Sequence, residues 1–216
     1  MILSKKNMAI APSPTLSIDA KYKEMLAEGI DVVGFGAGEP DFNTPEHIRN
    51  AAIEAITNGQ TKYTPAAGTL ALRKAVAEKL LKDNGVEYKP TQIVVSNGAK
   101  HSLVNAFSAI LNPGDEVIIP APFWVSYPEM VKIADGVPKI IYTDEDHEFK
   151  ITAKQLEEAI TDKTKALVLN SPSNPTGMVY TEEELRELAE TADADFESKN
   201  NYIYATDGTE KLVMAT

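Results

Sequence analysis

From about residue 90 the chain alternates short β-branched apolar runs, each ended by Gly, Pro or Asn, with stretches whose apolar residues recur at helical spacing. The runs at 93–95, 116–119, 139–142, 166–169 and 202–205 predict strands. Between them, 99–111, 125–134, 153–160 and 181–192 predict helices, the last opening on Thr181 and Glu184 at the spacing of a capping box. Strands alternating with helices predict right-handed βαβ units. The expected fold class is therefore α/β, with three layers (α/β/α) and a mostly parallel sheet covered on both faces. In such sheets ligands bind at the carboxyl ends of the strands, so a candidate residue gains weight when it directly follows one.

The first 30 residues read differently. Pro12 and Pro14 precede a short amphipathic run at 16–26, the pattern of an arm leading into a helix, and arms of this kind often pack on a partner subunit. The division expected is an arm and helix at 1–30 and one large domain at 31–216. Its final stretch, from Glu190, is less regular, with Asp193, Asp195, Glu197, Ser198 and two asparagines ahead of the 202–205 run. There is no internal repeat or low-complexity tract.

Composition narrows the function classes. With 216 residues, 43% of them hydrophobic and 25% charged, the chain is long enough for one sizeable core or two small ones. A net charge of -11 opposes wrapping a phosphate backbone, so nucleic acid is not an expected partner. The absence of cysteine removes disulfides and thiolate metal sites. Residues 1–14 lack the apolar core of a signal peptide, and no stretch approaches the roughly 20 apolar residues of a membrane span. A cytoplasmic location without a membrane partner is the expectation.

Several segments could carry chemistry. Ser96-Asn97-Gly98-Ala99-Lys100 follows a predicted strand and opens a predicted helix, which leaves free amides at a helix N-terminus for a phosphate, or is a plain structural turn. The glycine-dense stretch at 34–42 permits close backbone approach to a carboxylate or another chain, and serves equally as a loop. The turn at 63–68 carries Tyr63. Pro120-Ala121-Pro122-Phe123-Trp124 follows a strand and holds the chain's one tryptophan, suited to stacking on a planar ligand or to core packing. The loop at 170–177 also follows a strand, and its proline steps rigidify a backbone that aims Asn174 outward. Asp207 follows the last predicted strand, where a carboxylate could pair with a protonated ring nitrogen or sit in an Asp-Gly surface turn. His47, His101 and His147 are scattered without a second ligand at metal spacing, so no metal site is expected. No Gly-x-Ser-x-Gly elbow supports Ser-His-Asp chemistry.

Taken together, AGEPDF at 37–42, KYTPAAG at 62–68, SNGAKHSL at 96–103, PAPFWVSYPEM at 120–130 and NSPSNPTG at 170–177 resemble, in order and spacing, the signatures of the class I/II pyridoxal-phosphate-dependent aminotransferases of fold type I, aspartate aminotransferase group. The resemblance implies the cofactor-binding large domain of that fold and pyridoxal 5'-phosphate as cofactor. It also implies amino-group transfer from an amino acid such as aspartate to a 2-oxo acid, in a homodimer. Residue by residue, it implies Gly98, Ala99 and Lys100 at the cofactor phosphate, chiefly through the amides of Ala99 and Lys100. Trp124 would lie on the pyridine ring, Asn174 at its phenolic oxygen and at the substrate carboxylate, and Gly38 against that same carboxylate. Tyr63 would reach the phosphate of the neighbouring subunit, and Asp207 the ring nitrogen.

The sequence also departs from the family. Where the family reads Ser-Asp-Glu-Ile-Tyr-Glu-Lys-Leu, this chain reads Ala205-Thr206-Asp207-Gly208-Thr209-Glu210-Lys211-Leu212, one residue shorter and without the tyrosine. The family's Schiff-base lysine falls after the matched motifs, and neither Lys100 nor Lys211 stands in its place. No catalytic residue is therefore assigned within 1–216, and the expectation is an aminotransferase large domain, truncated on its C-terminal side and inactive alone. A noncatalytic fragment that keeps only the cofactor scaffold, and β-elimination on the same scaffold, remain open as alternatives.

Overall fold

The computed structural model of the chain describes residues 3–36 and 38–192, together with the backbone of three further strands at 195–199, 202–206 and 212–215. Helices α1 (Lys5–Met8), α2 (Pro14–Ala27), α3 (Glu46–Thr57) and α4 (Leu70–Asn84) come first. Then follow α5 (Ala99–Ile110), β1 (Glu116–Ala121), α6 (Ser126–Ile133), β2 (Val137–Tyr142), α7 (Ala153–Ala159), β3 (Thr164–Leu169) and α8 (Glu182–Thr191). Strands β4 (Asp195–Lys199), β5 (Tyr202–Thr206) and β6 (Leu212–Ala215) complete the order.

The six strands form one sheet in the order β2-β1-β3-β6-β5-β4. β1 runs parallel to β2 in register from Glu116 opposite Val137 to Ala121 opposite Tyr142, and parallel to β3 after a register shift at Glu116/Val117. β3 and β6 are also parallel, whereas β5 pairs antiparallel with both β6 and β4. The period-two alternation of β1 sorts its side chains between two faces. Val117 and Ile119 join Phe107, Tyr127, Met130, Val131 and Val168 beneath α5 and α6. Ile118 joins Ile151, Leu156, Leu167, Leu169, Tyr180 and Leu188 beneath α7 and α8. Both faces are thus covered, which is the three-layer α/β/α arrangement of the sequence expectation.

Most predicted elements form within two residues of their expected limits. Thr181 and Glu184 make the expected capping box, each side chain accepting from the other's amide at 3.2 and 2.7 Å. Three points differ. Residues 93–95 run extended but join no ladder, because the Val95 amide donates to Ala67 O, in a turn, at 3.1 Å. The 202–205 run forms β5 but reverses the sheet direction. Helices α3 and α4 lie where no helix is predicted. α4 is bounded by local signals, with Thr69 Oγ1 accepting from the Leu72 amide and Gly85 at φ 67° closing the C-terminus.

The N-terminal arm packs on its own chain. Lys6 Nζ donates to Asp135 Oδ2 at 2.7 Å and to Ile133 O, at the end of α6, at 3.1 Å, a favourable place for a cation. The Ala11 amide donates to Glu129 Oε2 at 3.0 Å. Among the described residues, no helix is long and apolar enough to cross a membrane.

Candidate functional site

The extended segment before α5 ends at Gly98, whose φ of 84° and ψ of 167° suit glycine alone. As the N-cap of α5, Gly98 has no side chain to bond the helix amides, and no acidic residue lies in the first turn. The Ala99 and Lys100 amides therefore keep the open donor capacity of a helix start, and a Cβ on Gly98 would meet nothing within 4 Å. The turn is tied from behind instead. The Asn97 amide donates to His101 Nδ1 at 3.0 Å, which requires that ring nitrogen to carry no proton. Open amides, a positive helix end and an empty approach suit an anion such as phosphate.

Trp124 stands in the link from β1 to α6, half-buried against the core. Its ring meets Tyr127 edge-on, with centroids 5.4 Å apart and planes at 90°, and Lys100 Nζ lies 5.1 Å from its centroid. Core packing and availability to a ligand, left open by the sequence, are combined in one side chain, and the first turn of α5 is joined to the β1 loop.

The loop after β3 is closed on itself. The Asn174 amide donates to Asn170 Oδ1 at 2.8 Å, the Ser173 amide to Met178 O at 2.9 Å, and the Gly177 amide to Ser173 O at 2.8 Å. Because β1 and β3 are neighbours in the sheet, their following loops abut. Phe123 of one and Asn174 of the other line a cavity of about 20 Å³ at the strand ends, with Phe149, Lys150 and Tyr180 beneath. A second groove, about 590 Å³ and mostly apolar, opens between residues 10–14 of the arm, Lys100, Phe123 and α6.

The structure thus gathers Gly98, Ala99, Lys100, Trp124 and Asn174 at the carboxyl ends of β1 and β3. Tyr63 lies apart and fully exposed, on a turn held by Arg73, whose Nε donates to Gly68 O at 3.2 Å and whose Nη1 donates to Pro90 O at 3.0 Å. Gly38 is exposed, and a Cβ on it would meet nothing within 4 Å. Asp207 lies outside the described residues.

Two residues at this site have no signal in the sequence. Lys150, only 8% exposed, pairs with Glu148 at 2.7 Å and Glu184 at 2.6 Å, and these hydrogen bonds hold its ammonium above the ordinary lysine range. Tyr180, 7% exposed, accepts the Ile151 amide on its hydroxyl at 2.9 Å, and burial pushes its pKa up. Glu184, the second partner of Lys150, and Ile151, the partner of Tyr180, are distant along the chain, so no local pattern marks either site.

The family model for aminotransferases of class I and II matches residues 30–196. An aspartate aminotransferase of Bacillus sp. (strain YM-2) is 56% identical over 206 residues, covering 95% of this chain and 51% of that protein. A probable aspartate/prephenate aminotransferase of Aquifex aeolicus is 53% identical, covering 87% of this chain and 48% of its own length. Among solved structures, the aspartate aminotransferase of Thermus thermophilus with maleate superposes with a TM-score of 0.85 at 48% identity, over 89% of this chain and 50% of that one. The chain therefore spans about half the length of the relatives it matches.

Proposed function

The chain belongs to the class I and II aminotransferase family, and we propose that it carries the pyridoxal-phosphate cradle of an enzyme moving an amino group from an amino acid such as aspartate to a 2-oxo acid. The observation that supports this most directly is the uncapped start of α5, set beside a half-buried tryptophan and bridged to it by Lys100.

The residues present fit such a cofactor. A phosphate needs open amides without a competing carboxylate, and the first turn of α5 offers both. A planar ring needs a flat apolar wall, which Trp124 provides from a position locked by Tyr127. The amides of Ala99 and Lys100 hold the phosphate, with the Lys100 charge adding to the field. Asn174, on a self-bonded loop, donates its side-chain amide to the phenolic oxygen and to the substrate carboxylate, and Gly38 borders that carboxylate. Asp207, outside the described residues, is assigned to the ring nitrogen by the family resemblance alone. Tyr63, exposed on an anchored turn, reaches the phosphate held by a second copy in a homodimer. When bound, the cofactor supplies an electron sink for the substrate α-carbon; the protein's share is binding, orientation and charge placement.

Trp124 is the chain's one tryptophan, so its emission reports this site alone. Titration with pyridoxal 5'-phosphate is expected to quench it saturably, and pyridoxal, which lacks the phosphate, to bind about tenfold or more weakly, a difference of about 1.4 kcal/mol. Equal affinities for the two would reject the phosphate site on α5. Adding aspartate to the loaded chain then separates the cradle from turnover: release of a 2-oxo acid supports full chemistry in this chain, and binding without release assigns it the cradle.

A further inference from the structure

Asn174 sits at the tip of the loop between β3 and α8, and a loop tip positions a side chain only as well as its two stems are held. One stem leaves β3 at Leu169 and is held by the ladder to β1 and β6. The other ends at Tyr180, and it is held by a buried side chain. The Tyr180 ring lies in the core beneath α7 and α8. Its hydroxyl accepts the Ile151 amide at 2.9 Å, and its own amide donates to Ser171 Oγ at 3.1 Å, which fastens the two stems together. Between stem and tip, the Ser173 amide bonds Met178 O, two residues before Tyr180, so displacement of Tyr180 is passed to the residue next to Asn174.

The ground under Tyr180 is itself braced. Glu148 and Phe149, ahead of Lys150, both have positive φ, 51° and 54°, a conformation costly for residues with a Cβ. Lys150 spans from Glu148 to Glu184, and the same Glu184 caps α8, directly after Tyr180. Charge pairing, helix cap and strained turn all converge on the one residue that ends the Asn174 loop.

We propose that Tyr180 is a positioning residue for Asn174: its buried hydroxyl, seated on the Ile151 amide, sets where the Asn174 side chain meets the cofactor ring. This rests on the reading that Asn174 contacts that ring.

The test is a double-mutant cycle on the full 216-residue chain, with Tyr180→Phe, Asn174→Ala and the double variant. Trp124 emission gives the affinity for pyridoxal 5'-phosphate, and competition gives the affinity for inorganic phosphate, which needs α5 but not Asn174. Tyr180→Phe is expected to weaken pyridoxal 5'-phosphate about tenfold, or about 1.4 kcal/mol, and to leave inorganic phosphate within about twofold, with no further loss when Asn174 is already Ala. Should Tyr180→Phe fold poorly, Ser171→Ala removes the stem-to-stem bond and is expected to act in the same direction. The proposal is overturned if both ligands weaken equally, if neither weakens, or if the effects of Tyr180→Phe and Asn174→Ala simply add. Unchanged affinity in Asn174→Ala alone sinks the Asn174 reading itself, and the proposal with it, and is recognised before the cycle is closed.

Discussion

The Lys100 ammonium stands over the Trp124 ring, 5.1 Å from its centroid, while Tyr127 meets the same ring edge-on. A residue of α5 and a residue of the β1–α6 link are thereby joined across the mouth of the site.

Lys100→Met keeps much of the side-chain length and removes the charge. A cation over an exposed aromatic face contributes about 0.5–1 kcal/mol, so chemical denaturation should show a loss of that size, accompanied by altered Trp124 emission in the folded chain. Identical emission and stability in the two proteins would show that the contact is not maintained in solution.

Gly98 and Gly38 should respond in opposite ways to alanine. Both have space for a methyl group, but Gly98 holds φ at 84° and Gly38 shows no positive φ. Gly98→Ala is expected to lower stability by about 1–3 kcal/mol through backbone strain alone, and to weaken phosphate binding as the turn shifts. Gly38→Ala should leave stability unchanged or raise it by up to about 1 kcal/mol, since alanine narrows the unfolded ensemble. Urea unfolding of the two variants side by side checks the contrast.

The acid side of the stability profile should be steeper than the neutral side. At Glu184, burial raises the pKa, but the Lys150 ammonium and the Thr181 amide outweigh it and bring the carboxyl below its ordinary 4.5. At Glu116 the Thr161 hydroxyl lowers it first, against burial and with help from Lys139. A lowered folded-state pKa gives stability that is present above the unfolded value and lost as pH falls through the folded one. The share of these two carboxylates in the melting temperature should therefore be complete above pH 4.5 and be lost below it, with a smaller drop in Glu184→Gln, which starts from a lower value. His147, raised by its hydrogen bond and charge contact with Asp144, works the other way: its contribution is complete below 6.5 and fades as pH rises past its raised pKa. That pair is exposed, so salt should remove most of its effect. Thermal melts from acid to neutral pH, at low and high salt, read both limbs.

What can be read along the chain is what a few neighbouring residues decide. The capping box of α8 needs only Thr181 and Glu184, and the two-sided burial of β1 needs only its unbroken apolar run, Val117, Ile118 and Ile119. Gly98 and the amides after it are legible because a helix start and its missing cap are local facts. The helix α4 is not legible in the same way, although Thr69 and Gly85 mark its ends, because its apolar residues do not form the clear stripe of a helix packed on a core; α3 carries a stripe like that of α5, so its signal is in the sequence although none of its residues is buried.

Partnership was decided elsewhere. The β-branched run at 93–95 has the composition of a strand, but the backbone that came alongside it was a turn at Ala67. The direction of β5 depends on which neighbours it meets, and the arm found α6 of its own chain through Lys6 and Asp135, which are 129 residues apart. Lys150 looks like one more solvated charge until folding places Glu148 and Glu184 on either side of it. Hydrogen bonds within a turn of helix cost little chain entropy and leave their mark in spacing. Bonds between segments far apart become favourable only when the whole sheet has brought them together, and the pattern of residues carries no record of that distance.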